Sequence, residues 1–165
     1  MKTRILAPLL TLPLMFACGG DDDHNHGEED VAAELCEHAK DGPFQTVTAG
    51  ADAAGAASAS FEHTSVTVTL TDYMSQKGGC VSVDVEAEGE LILAVNDAAV
   101  SMALSDASGT AIAAEKTETI TDCTELARMD TFDVAAGTHT ICFGPTALTE
   151  LRFGFEEGGA HDHEE

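Results

Sequence analysis

The chain has 165 residues, which by length is one compact domain or one domain with tails. It carries 30 Asp and Glu against 7 Lys and Arg, a net charge of −23. That balance excludes nucleic-acid binding, which needs clustered cations to displace phosphate counterions. Aromatic residues make up 5 %, with no Trp, but a hydrophobic content of 44 % supplies a core of Ala, Val, Leu and Ile.

The first 17 residues read as an export signal. Lys2 and Arg4 open the segment, and Ile5 to Ala17 is apolar, too short to span a bilayer and broken by Pro8 and Pro13. It closes Met15-Phe16-Ala17-Cys18. This resembles the lipobox of bacterial lipoproteins: an apolar residue, a variable one, a small one, then Cys. Met15 stands where Leu is usual. The resemblance implies cleavage before Cys18 and attachment of acyl chains such as palmitate to it. Gly19 follows rather than Asp, so the family pattern implies an outer-membrane lipoprotein, on the periplasmic face or at the cell surface. Cleavage removes two cations and no acid, which takes the net charge from −23 to −25. A diacyl anchor suffices for stable attachment. The acidic body is repelled by anionic headgroups, so the anchor is the membrane contact.

Residues 18–30 contain no large apolar side chain and read as an acidic, His-containing tether. Asp30 reads as a helix N-cap. Val31, Leu35 and Ala39 follow at helical spacing, and Gly42-Pro43 ends a short helix over Val31 to Lys40. The period then becomes two. Phe44 to Thr48 reads as a strand, and Ala49 to Ser60 as a low-complexity loop, with Gly50 and Gly55 against a helix. Strand patterns follow at Val66–Leu70, Val81–Val85, Leu91–Val95, Met102–Leu104, Ala111–Ala114, Phe132–Val134, His139–Phe143 and Leu151–Phe155. Alternation between Gly- and Asp-bearing turns predicts antiparallel sheets with one buried face. The expectation is an all-β fold, an antiparallel β-sandwich or jelly roll of seven or eight strands with one N-terminal helix, spanning residues 31–156. Residues 157–165 form a His-rich acidic tail.

Ser105-Asp106-Ala107-Ser108-Gly109-Thr110 and, later, Phe132-Asp133-Val134-Ala135-Ala136-Gly137-Thr138-His139-Thr140-Ile141 both have hairpin chemistry. Together they resemble the bacterial pre-peptidase C-terminal type of β-sandwich, with His139 where that family usually has Tyr. The resemblance covers about half the chain. It implies an accessory or binding module and no catalytic residue.

Besides Cys18 there are Cys36, Cys80, Cys123 and Cys142. In an exported protein an even count suggests two disulfides, with three connectivities open. Strand parity places Cys80 with Ser82 and Asp84, and Cys142 with Thr138 and Thr140, both on outward faces. The pairing expected is therefore Cys80–Cys142, leaving Cys36–Cys123. No Cys-x-x-Cys occurs, so a thiol zinc site is disfavoured.

The histidines are the one chemical signal. His24 and His26 in the first tract and His161 and His163 in the last each form His-x-His among carboxylates. Imidazole with carboxylate is a donor set for Zn²⁺, and alternatively Cu²⁺ or Ni²⁺. If the chain ends lie close, the two tracts share an ion at high effective concentration. Of the remaining histidines, His38 is expected to pair with Glu34 one helical turn away, His63 to begin a strand, and His139 to sit at the core edge.

There is no Gly-x-Ser-x-Gly, His-Glu-x-x-His or phosphate loop, and no enzyme is expected. The function expected is capture or buffering of divalent transition metal, zinc foremost, by a lipid-anchored envelope protein through its His/Asp/Glu-rich termini. It implies a monomer whose partner is an envelope metal transporter or another envelope protein. The alternative is a non-catalytic binding or adhesion module contacting a protein or glycan, with the tails as tethers.

Overall fold

The computed structural model describes residues 28–59, 63–73 and 75–158. One helix, α1 (Glu28–Asp41), precedes twelve strands: β1 (Phe44–Thr48), β2 (Ala57–Ser58), β3 (Ser65–Thr69), β4 (Thr71–Tyr73), β5 (Gln76–Val85), β6 (Gly89–Val95), β7 (Met102–Ser105), β8 (Ala111–Ile112), β9 (Lys116–Thr119), β10 (Arg128–Val134), β11 (Gly137–Thr146) and β12 (Glu150–Gly158). They form two packed sheets, ordered β1-β3-β12-β6-β10-β9 and β2-β5-β11-β7-β8, with β4 pairing on β5. The protein is an all-β sandwich, as its alternation predicts.

Three features depart from expectation. The strand count exceeds seven or eight because β2, β4 and β9 are short, polar or small-residue pieces without an apolar period. The sheets are mixed rather than antiparallel throughout, since β1 runs parallel to β3 and β2 parallel to β5. The segment joining β10 to β11 crosses from one sheet to the other, so Ala135–Gly137 is not a hairpin turn. The Asp106–Gly109 turn is one: Leu104 pairs Ile112 and Ser105 pairs Ala111 across it. There the Asp106 carboxylate accepts from the amides of Ser108 and Thr110, at 2.9 and 2.8 Å.

Between the sheets lies the main core. Val66, Val68, Leu91, Leu93, Val95, Phe153 and Phe155 from one sheet meet Val81, Val83, Leu104, Ile141 and Phe143 from the other. His139 belongs to this layer at 3 % exposure, its Nε2 2.8 Å from the carbonyl of Ala135. A second core lies on the outer face of the first sheet, where Leu35 and Ala39 of α1 cover Ile92, Ala94, Leu126 and Met129. Strand β6 is thus buried on both faces, which explains why Leu91-Ile92-Leu93-Ala94-Val95 is an unbroken apolar run. A clean one-face alternation does not hold for this sheet.

Helix α1 begins at Glu28, so Asp30 lies inside it rather than capping it, and residues 28–30 belong to the helix rather than to the expected tether. It ends as its sequence directs. Gly42 takes φ +83° and its amide bonds the His38 carbonyl at 2.9 Å, a left-handed cap that glycine adopts without penalty. The Arg152 guanidinium donates to the Ala39 carbonyl at 2.9 Å, placing a cation at the negative end of the helix. In the Ala-rich loop, a Cβ on Gly50 would stand 1.9 Å from the Gly55 carbonyl oxygen, so only glycine allows that turn to close.

Both expected disulfides are present. Cys80 and Cys142 face each other in register on β5 and β11, and Cys36 of α1 joins Cys123. Among the described residues, no helix is long and apolar enough to cross a membrane.

Candidate metal centre

On β12, Leu151, Phe153 and Phe155 point into the main core, so Arg152, Gly154 and Glu156 face α1. Leu35 rests over Gly154; a Cβ there would approach Leu35 Cδ2 to 3.2 Å. This close seat brings one flank of α1 beside Glu156. Glu34 and His38, four residues apart, share that flank. His63, in the turn just before β3, completes the group.

The four side chains form one cluster whose ligand atoms all lie within 4.8 Å of one another. His63 Nδ1 is 3.3 Å from Glu34 Oε1 and 3.2 Å from Glu156 Oε2. His38 Nε2 is 3.7 Å from Glu34 Oε1. The two imidazoles meet edge-on, with centroids 5.4 Å apart. Glu156, at 6 % exposure, forms the floor. The His63 side chain, at 55 %, forms the open lip.

The geometry suits a small cation. A tetrahedral zinc centre with bonds of about 2.0–2.2 Å has ligand-to-ligand edges of roughly 3.3–3.6 Å; three pairs here stand near that, at 3.2, 3.3 and 3.7 Å, and all lie within 4.8 Å. His38 Nδ1 lies 3.3 Å from the Gly42 carbonyl. With the ring proton donated there, Nε2 keeps its lone pair toward the cluster, the carbonyl-oriented arrangement typical of metal-ligating histidine. His63 is held at φ +54°. A non-glycine residue in the left-handed region costs about 1–3 kcal/mol, and such residues concentrate at functional sites.

The cluster overlaps little with the residues that composition singles out. His24, His26, His161 and His163 lie outside the described residues, as does Cys18. His38 does contact Glu34, as its spacing predicts, but as one edge of a four-residue group. His63 stands in a turn and does not begin a strand. Glu156 carries no sequence signal beyond its outward parity. A second convergence, Glu125 beside Cys36 and Cys123, involves sulfurs already joined to each other. In comparison with known proteins, the chain matches no family model and no curated protein.

The Gly154 seat yields a prediction. Gly154→Val should press against Leu35, cost about 1–3 kcal/mol by overpacking, and weaken zinc binding by parting Glu156 from α1. Thermal unfolding and zinc calorimetry on the same sample test both effects. Unchanged affinity would contradict the dependence of the site on this contact.

Proposed function

We propose that this chain is a lipid-anchored cell-envelope protein that binds and buffers divalent transition metal, zinc foremost. Its organised seat is Glu34, His38, His63 and Glu156. The observation that carries this reading is the convergence of two imidazoles and two carboxylates from a helix, a turn and a strand at metal-ligand spacing. Two nitrogens and two oxygens without thiolate suit Zn²⁺, with Cu²⁺ or Ni²⁺ as alternatives. The donors bind as neutral imidazole and carboxylate, so protons compete with the ion and binding weakens in acid.

In this reading the terminal tracts are supplementary donors rather than the site itself. Helix α1 and β12, which lead to the two tracts, pack together and each contribute to the cluster. His161 lies five residues beyond Glu156, at most about 18 Å of extended chain. An ion captured loosely by a tract is therefore within reach of the folded seat. The strongly negative body draws cations toward both. Cys18, through its lipobox-like context, holds the protein at the envelope membrane.

X-ray absorption at the zinc edge tests the reading on oxidised protein with one equivalent of zinc. The expected first shell is nitrogen and oxygen, with outer-shell scattering from about two imidazoles. An all-oxygen shell would overturn the proposed seat.

A further inference from the structure

Helix α1 presents different chemistry on its two flanks. At 100° per residue, with Leu35 and Ala39 toward the sheet, Glu34 and His38 fall on one side and Cys36 on the other. On that second side Cys36 is bonded to Cys123, and Glu125 Oε2 lies 4.0 and 3.8 Å from the two sulfurs. All three residues are half-buried and line an open groove between α1 and the 118–125 segment. Glu37, Glu118 and Asp122 stand around the groove, with Lys40 its only cation among the lining residues.

We propose that Cys36, Cys123 and Glu125 form a second metal site, specific for a thiophilic divalent cation and open only when the Cys36–Cys123 bond is reduced. It does not depend on the His/Glu cluster. The disulfide sulfurs are poor ligands, whereas two thiolates and a carboxylate are three of the four donors of a tetrahedral zinc site. Such a site has S···S edges of about 3.8 Å and S···O edges of about 3.5 Å. The carboxylate oxygen already stands close to the second distance from both sulfurs. Only the sulfurs must part, and Cys123 lies in the connection between β9 and β10 rather than in a strand. The fourth position faces the groove and takes water.

The steps balance. A dithiol reductant attacks the Cys36–Cys123 bond through a mixed disulfide, supplies two electrons and two protons, and leaves as its own disulfide. Cys36 and Cys123 become thiols. The entering M²⁺ displaces both thiol protons to solvent and bonds the two thiolates. Glu125 needs no deprotonation, because a carboxylate is ionised at neutral pH; the Thr124 hydroxyl donates to its Oε2 at 2.8 Å. The bound ion then holds the sulfurs apart and blocks reoxidation.

The test uses the full chain carrying Cys18→Ser, reduced by a dithiol that is removed anaerobically, with Co²⁺ as probe. The reduced protein should develop thiolate-to-cobalt charge-transfer absorption that saturates with one ion, and the oxidised protein should not. Reduced C36S/C123S, which keeps Cys80 and Cys142, should lack the band, and Glu125→Gln should weaken it at least tenfold. No band in the reduced protein, or the same band in C36S/C123S, overturns the proposal. Should C36S/C123S fail to fold, alkylation decides: one equivalent of Zn²⁺ should protect Cys36 and Cys123 alone. Protection of Cys80 and Cys142, or of no thiol, overturns it. Zinc binding by the oxidised protein reports the His/Glu seat separately, so the two failures are distinguishable.

Discussion

His63→Ala lowers zinc affinity by more than about 100-fold in the oxidised protein, beyond the 10–100-fold typical for an outer-shell partner. The reason is its central position. Its Nδ1 faces both carboxylates, at 3.3 and 3.2 Å, so its loss removes a ligand and leaves Glu34 and Glu156 without the imidazole between them. Its ring is half exposed and contributes nothing to either apolar core. The fold should therefore be undisturbed, and alanine relieves none of the main-core packing. Competition against a chromophoric chelator measures the affinity, and far-ultraviolet circular dichroism checks the fold. Glu34→Gln, at the more exposed carboxylate, should cost less than His63→Ala. Equal zinc affinity in wild type and His63→Ala would remove the folded site from consideration.

Phe153→Ala costs about 3–5 kcal/mol of stability, the usual range for a buried Phe whose cavity cannot collapse. Phe153 is fully buried on β12, which lies between β3 and β6 in the middle of its sheet. Its ring is 5.5 Å from Phe143 of the opposite sheet and 6.4 Å from Phe155. With no Trp in the chain, these three rings and Phe132 are the largest side chains in the core, and small Val and Ala neighbours cannot fill the space. Against a typical total of about 5–15 kcal/mol the loss is severe. Urea unfolding measures it directly. Zinc at 100 times its dissociation constant should restore about 2.7 kcal/mol if the ion binds only the folded state. A loss below about 1 kcal/mol would contradict the placement of this ring.

Much of the fold is legible from alternation alone. Strands β3, β5 and β11 carry apolar residues every second position, and their buried faces follow that period. The disulfide pairing is legible for the same reason: parity sets Cys80 and Cys142 on one face, and elimination joins Cys36 to Cys123. Short strands β2, β4 and β9 carry no such period, because their neighbours rather than their side chains hold them. The helix itself is readable, but its seat is not. Only the double-sided run Leu91–Val95 hints that a layer covers the outside of its sheet.

The site was hidden by the same gap. Glu34 and His38 show as an i, i+4 pair, which on a helix surface usually means a weak ion pair. His63 lies 25 residues beyond His38, and Glu156 a further 93, so their meeting is a property of the fold. Glu156 looks like one more acid among 30 until α1 is laid over β12. Composition therefore draws attention to the terminal His-x-His tracts, where ligands are close in sequence. In the folded body the ordering cost is met during folding, which favours tighter binding there.

The most direct measurement compares two full-length variants by zinc calorimetry in oxidised form. One replaces His24, His26, His161 and His163 by Ala; the other replaces only His38 and His63. The first should keep one tightly bound equivalent of zinc, and the second should lose it while retaining weak binding by the tracts. Tight binding that survives in the second and vanishes in the first would contradict a folded seat and return the function to the tails.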